Sequence, residues 1–154
     1  MRFSIKIFVS IIFALTCTPF AQAQQEAVEL PKPYQVFGDD TVHFNLFSSK
    51  LLTPSIAKAS GFTRADDIVL LNVALVKGKA HSGSPATVIG SYKNLMQQQR
   101  TIEFREIKET NATYYIASIR ITNQDILHFN IDVTPIGSDK SHNIQFSRKM
   151  YTDK

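Results

Sequence analysis

The stretch DDIVLLNVALVKGK, which runs from Asp66 to Lys79, decides how the rest of the chain can fold. Between Ile68 and Val76 the only polar residue is Asn72, so this segment has almost no polar face. A short apolar run that is rich in β-branched residues and closes on lysine and glycine is typical of a strand buried on both sides. The rest of the chain must therefore supply two covers for this strand.

Residues 1–23 have the layout of a secretory signal peptide. Arg2 and Lys6 stand at the head, an apolar stretch runs from Ile7 to Leu15, and Ala21-Gln22-Ala23 offers a small-x-small cleavage site. The apolar stretch has about half of the roughly 20 residues that a membrane-spanning helix needs. We therefore predict export to a Gram-negative periplasm, cleavage after Ala23, and no transmembrane segment in the mature chain.

Cys17 is the only cysteine of the chain and lies at the edge of this segment. A lipoprotein signal is thus an alternative, although Thr16 is larger than the residue that such signals carry before the lipidated cysteine. Cleavage after Ala23 leaves a chain with no thiol. Such a chain has no disulfide, thiol catalysis or thiolate metal site.

The remaining residues are enough for a single domain. Residues 24–33 are polar, contain Pro31 and Pro33, and are expected to form an extended lead-in, while residues 34–154 form one domain. Without Arg2 and Lys6 the chain has 15 basic and 13 acidic residues, a net charge of about +2. This charge is small, and no row of aromatic side chains stands among the basic ones, so we expect no nucleic-acid partner.

Short segments of alternating polarity recur about every ten residues after Pro33, separated by Gly, Asn, Asp and Pro. This pattern predicts an all-β fold, an Ig-like antiparallel β-sandwich of seven or eight strands, with a small closed barrel as the alternative. Thr101–Ile107 and Thr113–Ile121 are expected to form a hairpin. The predicted core consists of Val42, Phe44, Leu46, Val69, Leu71, Val73, Ile102, Phe104, Ile119, Phe129, Ile131, Val133 and Phe146.

One segment, Leu51–Arg64, breaks the strand pattern. Thr53 can cap a helix, Pro54 suits the first helical position, and Gly61 can end it. We predict one short helix of about two turns, with Ile56 and Phe62 packed against the sheet edge.

Three phrases of the sequence resemble a known family. They are FGDDTVHFNLFSS from Phe37, LLTPSIAKASGFTRADD from Leu51, and VLLNVALVKG from Val69. Similar phrases open the mature domain in a group of small exported proteobacterial proteins that are known only as a domain of unknown function. The resemblance covers nearly all of Tyr34–Tyr151. It implies an Ig-like sandwich in a Gram-negative periplasm, and it implies no activity.

The sequence offers one weak metal-binding hypothesis. His128, Asn130 and Asp132 occupy alternate positions of a predicted strand and therefore share a face, where an imidazole and a carboxylate could approach a metal ion. His43 would add a ligand if its strand lay alongside. The alternative is the ordinary polar face of a surface strand. No catalytic or nucleotide motif accompanies these residues, and we expect no cofactor.

We interpret the protein as a periplasmic binding or assembly module without catalytic activity. A metal-binding protein or metal-dependent enzyme that uses His43, His128 and Asp132 is the alternative. The excursion from Phe47 to Arg64 departs from the strand pattern, and sandwich folds often place recognition in such departures. The partner-binding candidates are Leu52, Ile56, Lys58, Phe62 and Arg64, and the expected partner is another periplasmic or envelope protein. These apolar residues could equally cap the open edge of the core.

Overall fold

The computed structural model describes residues 32–80 and 82–153. The predicted signal peptide, with Cys17 and the cleavage site, lies outside the described residues, as do most of the predicted lead-in and Lys154. Among the described residues, the structure has no helix that is both long enough and apolar enough to cross a membrane.

Within residues 32–80 and 82–153 the structure has nine strands, one α-helix and one 3-10 turn. The elements are β1 (Tyr34–Phe37), β2 (Asp40–Ser48), the 3-10 turn (Ser49–Leu51), α1 (Pro54–Ser60), β3 (Ile68–Lys77), β4 (Ala86–Lys93), β5 (Gln99–Thr101), β6 (Arg105–Lys108), β7 (Thr113–Arg120), β8 (Ile126–Pro135) and β9 (His142–Lys149). They form a five-stranded sheet in the order β1-β2-β3-β7-β6 and a four-stranded sheet in the order β5-β4-β8-β9. All neighbouring strands are antiparallel. The predicted all-β sandwich is confirmed.

Seven or eight strands were predicted, and the described residues form nine, because one predicted strand is split into two. The predicted single strand Thr101–Ile107 is divided between β5, which pairs with β4, and β6, which pairs with β7. The chain crosses from one sheet to the other at Ile102, whose N–H donates to the carbonyl of Gly90 at 2.8 Å. Ile102 is buried and Phe104 packs against the core, so alternation located the inward side chains but could not show the crossing.

The β3 strand is buried on both faces, as predicted. It lies between β2 and β7, and Leu71, Val73 and Leu75 point into the core between the two sheets. Ile68 and Leu70 alternate with these residues, lie on the opposite face, and are buried too. The core therefore covers one face of β3, and something outside the core must cover the other.

Every predicted core residue belongs to the core between the sheets or packs directly against it. An aromatic row runs through this core from one sheet to the other. Phe44 of β2 stacks on Phe146 of β9 with 4.6 Å between ring centroids, and Phe146 stacks on Phe129 of β8 at 4.7 Å. Tyr92 of β4 follows at 5.9 Å from Phe129.

Two buried polar contacts add to the packing between the sheets. The imidazole Nε2 of His142 lies 2.8 Å from a carboxylate oxygen of Asp40, and Phe37 stacks on the same imidazole ring at 4.6 Å. On the other side of the sandwich, the hydroxyl of Tyr115 accepts the N–H of Ala86 at 2.7 Å, and burial raises the pKa of the Tyr115 phenol. Each contact joins one sheet to the other.

Replacement of Phe129 by Ala tests the assignment of the core. Phe129 is only 2% exposed, and the loss of a buried phenyl ring costs about 3–5 kcal/mol of the free energy of unfolding. Because a domain of this size has about 5–15 kcal/mol to lose, urea denaturation should show a poorly folded variant. Ile89→Ala is the matched control, since Ile89 is exposed on the neighbouring β4. Equal urea midpoints of unfolding for the two variants would contradict the assignment of Phe129 to the core.

Candidate functional site at one end of the sandwich

Four segments meet at one end of the sandwich: residues 49–67 after β2, the loop 94–98 after β4, the loop 121–125 after β7, and the last residues after β9. Hydrogen bonds join the first, third and fourth of these segments. The N–H of Ile121 donates to the carbonyl of Asp67 at 2.8 Å, that of Met150 to Asp125 at 2.7 Å, and that of Asp153 to Asp66 at 3.0 Å. Leu51–Arg64, the segment whose sequence departs from the strand pattern, therefore lies at this end of the sandwich.

The excursion, defined here as residues 49–64, starts two residues later than predicted, because Phe47 and Ser48 still pair with β3. Its helix follows the local signals of the sequence. The Thr53 hydroxyl accepts the N–H of Ile56 at 3.3 Å, Pro54 is the first helical residue, and Gly61 ends the helix in the left-handed conformation at φ +68°. The predicted short helix is confirmed.

A fully buried serine fastens the two ends of the excursion together. The Ser49 hydroxyl donates to the carbonyl of Ala65 at 3.1 Å and accepts the N–H of the same residue at 3.0 Å. Beside it, Arg64 donates to the carbonyl of Lys50 at 3.2 Å, and Lys50 forms an ion pair with Asp66. The hydrogen bond and the charge of Asp66 raise the pKa of the Lys50 ammonium group. A loop closed by its own contacts in this way is compact.

The inner side of the excursion is part of the packed structure. Ala57 is buried and Phe62 is only 9% exposed. The guanidinium of Arg105, on β6, lies 4.9 Å from the centroid of the Phe62 ring and donates to the carbonyl of Ser60 at the helix end. Since Arg105 pairs with Ile116 of β7, the excursion reaches across the outer face of the five-stranded sheet.

The outer side of the excursion is apolar in part and exposed. Leu51 is 74% exposed and Ile56 is 51% exposed, so the predicted packing of Ile56 against the sheet edge is wrong. The predicted partner-binding residues thus divide: Ile56, Lys58 and Arg64 are exposed, Leu52 is half-buried, and Phe62 is buried. The structure brings all five onto one excursion, with Phe62 beneath the surface.

A cleft of about 630 Å³ opens at the same end of the sandwich as the excursion, between the loops 94–98 and 121–125. Its apolar lining comes from Ile121 and Leu127, which are buried, from Tyr92, and from the exposed Met96 of the loop 94–98. Its polar lining consists of Asp67, Asn94, Gln98, Arg100, Arg120, Thr122, Asn123, Gln124 and Asp125. The sequence analysis missed this cleft because its walls come from loops that are distant in the chain.

The loop 94–98 presents two apolar side chains on a rigid turn. Asn94 accepts the N–H of Gln97 through its carbonyl at 3.0 Å and that of Gln98 through its side chain at 3.0 Å. Gln97 has a φ of 62°, a conformation that non-glycine residues adopt infrequently. Leu95 and Met96 lie at the tip and are 60% and 74% exposed. The sequence signal that could have indicated this exposed turn is the apolar pair Leu95-Met96 between Asn94 and Gln97.

The structure does not bring together the three residues of the metal-binding hypothesis. His43 lies on β2 and faces away from the core of the five-stranded sheet, whereas His128 and Asp132 lie on the outer face of the four-stranded sheet. The two sheets and the core lie between them. The part of the chain that the structure describes has no cluster of three or more His, Cys, Asp or Glu side chains suited to a metal ion.

His128, Asn130 and Asp132 instead belong to a hydrogen-bonded polar face. His128 Nδ1 lies 2.6 Å from the Ser147 hydroxyl, and the Asn143 side-chain amide donates to Asn130 at 2.7 Å and to Asp132 at 2.8 Å. These side chains therefore bond largely to each other, as the polar-face interpretation predicts.

Comparisons with known proteins place the chain in one family. Residues 34–153 match the family model described as a domain of unknown function (DUF4426). A crystal structure of a DUF4426 family protein from Pseudomonas aeruginosa PAO1 is 31% identical, covers 79% of this chain and 95% of that chain, and has a TM-score of 0.70. The crystal structure of FetP from uropathogenic E. coli strain F11, expressed recombinantly in the E. coli periplasm, is similar in fold. The two sequences are 11% identical, the match covers 79% of this chain and 94% of the FetP chain, and the TM-score is 0.56. No curated protein matches the chain.

Proposed function

The chain belongs to the DUF4426 family, a domain of unknown function, and we propose that it acts as a periplasmic binding or assembly module whose working surface is the outer side of the excursion. The observation that carries this proposal is the exposure of Leu51 and Ile56 on a segment whose ends and inner side are held in place. Isolated exposed apolar residues are common. Here they stand on a structured element that interrupts an otherwise regular sandwich.

The fixed shape of the excursion favours binding. A surface that is already ordered loses little conformational freedom when a partner docks, so more of the contact energy appears as affinity. Ser49 closes the excursion at its base, and Arg105 holds its far end through Phe62 and Ser60. The outward residues are therefore presented in one arrangement.

The charges around the apolar residues indicate the chemistry of the partner. Lys50 is neutralised by Asp66, but Lys58 and Arg64 form no ion pair with any described residue. The surface thus has an apolar centre and a basic rim, which suits an apolar segment with an acidic border. We assign this segment to another periplasmic or envelope protein.

The periplasmic location in this proposal rests on the predicted signal peptide. Protein recovered from the periplasmic fraction of cells that express the full chain should begin at Gln24 and lack Cys17, because cleavage is expected after Ala23. Intact-mass spectrometry measures this directly. A mass that retains Cys17 with added acyl chains would instead establish a lipoprotein, and an uncleaved chain in the cytoplasm would contradict the location.

Charge reversal on the rim tests the working surface. The double variant Lys58→Glu with Arg64→Glu should capture about tenfold less of the partner that crosslinks to the native protein in the periplasm, because attraction to an acidic border becomes repulsion. Both residues are exposed, and the change removes one exposed hydrogen bond, from Arg64 to the Lys50 carbonyl, so the melting temperature should fall by only a few degrees.

The matched control carries the same charge change at the opposite end of the sandwich, with Lys77→Glu and Lys79→Glu, which are also exposed. This control should capture the partner as well as the native protein does. Equal capture by both double variants, or no crosslinked partner at all, would show that the excursion is structural and that the function lies elsewhere.

A further inference from the structure

The cleft between the loops 94–98 and 121–125 has an apolar floor that closes the end of the core. Ile121 and Leu127 are buried members of the core, and Tyr92 packs against it. The volume of about 630 Å³ lies within the range of roughly 300–1,000 Å³ that is typical of small-ligand sites. Such a floor suits one apolar side chain, while Gln98, Asn123 and Gln124 around it are exposed.

Amide side chains rim this floor. Among the described residues, the Gln98 side-chain nitrogen, the Asn123 side-chain nitrogen and the Gln124 side-chain amide have no hydrogen-bond partner. An amide side chain offers both donors and an acceptor, the same set that a peptide group requires. The rim is therefore matched to a polypeptide backbone better than to a purely apolar molecule.

One guanidinium in the cleft lacks an acidic partner. The lining carries two arginines and two aspartates: Arg120 forms an ion pair with Asp67, and a carboxylate oxygen of Asp125 accepts only a backbone N–H, that of Ile126, at 2.8 Å. Arg100 forms no ion pair with any residue that the structure describes. Its position in β5, opposite Tyr92 of β4, places it on the core-facing side of the sheet, where its exposed side chain lines the cleft.

We propose that this cleft binds the carboxyl terminus of a partner polypeptide whose last residue is apolar. Arg100 takes the terminal carboxylate, since a guanidinium and a carboxylate form paired, charge-assisted hydrogen bonds. The amide rim takes the last peptide groups, and Ile121, Leu127 and Tyr92 take the terminal side chain. The inference rests on the proposed binding function and names the part of the partner that this end receives.

The structural alternative is that Arg100 only protects an edge strand. A charge that points inward on an edge strand discourages pairing with other sheets, and β5 is the edge of its sheet. Protection of this kind needs no carboxylate and no particular ligand. Recognition of a terminal carboxylate by Arg100 is thus the feature that separates the two explanations.

The test uses a synthetic N-acetylated tetrapeptide of three alanines followed by leucine, titrated into the mature protein and followed by isothermal titration calorimetry and by amide chemical shifts. The free acid should bind and shift the amides of residues 94–98 and 121–125. The same peptide with a C-terminal amide should bind at least tenfold more weakly. Arg100→Gln should weaken binding of the free acid to the level of the amide.

Lys140→Gln is the matched control, because Lys140 is an exposed cation in the turn between β8 and β9, at the opposite end of the same sheet, and it should bind as the native protein does. Equal binding of acid and amide, unchanged binding by Arg100→Gln, no binding at millimolar peptide, or tighter binding of decanoate than of the peptide would each overturn the inference. Failure here, with partner capture still dependent on Lys58 and Arg64, would leave the proposed function standing. Suppose instead that peptide binding requires Arg100 but that partner capture does not depend on Lys58 and Arg64. Only the assignment of the excursion as the working surface would then be wrong.

Discussion

The burial of β3 on both faces is the constraint from which the rest of the structure follows. Leu71, Val73 and Leu75 belong to the core between the sheets, while Ile68 and Leu70 are buried on the other face. In an antiparallel sandwich the outer face of a sheet is commonly in contact with water. At roughly 25 cal/mol for each Å² of apolar surface, these outward side chains favour a second cover. The excursion lies on that face, which explains why the regular strand pattern is interrupted directly before β3.

This cover also gives the candidate site its properties. A segment that covers the outer face of a sheet has to be ordered. Ser49 and Gly61 order it from within, and Arg105 of β6 holds it through Phe62. Its outward side is then free to carry residues that packing does not require, such as Leu51 and Ile56. The neighbouring loops open a cleft at the same end. The proposed function thus assigns stability to the inner side of this short segment and recognition to its outer side.

Features that depend on neighbouring residues could be predicted from the sequence, and features that depend on distant ones could not. Neighbouring residues are enough to predict the helix cap at Thr53, the end of the helix at Gly61 and the inward-facing positions along β8. The division of Thr101–Ile107 between two sheets depends on which strands lie alongside, and the contact of His142 with Asp40 joins residues 102 positions apart. The site followed the same rule. The excursion was visible as a break in the strand pattern, whereas Ile56 and Phe62 were both predicted to pack against the sheet edge. Ile56 lies on the exposed side of α1, and Phe62 follows the left-handed Gly61 that ends the helix and is buried.

Whether the excursion covers the outer face of β3 can be measured from the free energy of unfolding of Phe62→Ala, compared with that of Ile56→Ala. Both changes truncate an apolar side chain on the same excursion. If the inner side covers β3 and the outer side is free, urea denaturation should show a loss of about 3 kcal/mol for Phe62→Ala and a change within about 0.5 kcal/mol for Ile56→Ala. Equal and small losses of the free energy of unfolding would show instead that the excursion is an appended loop and that β3 needs no second cover.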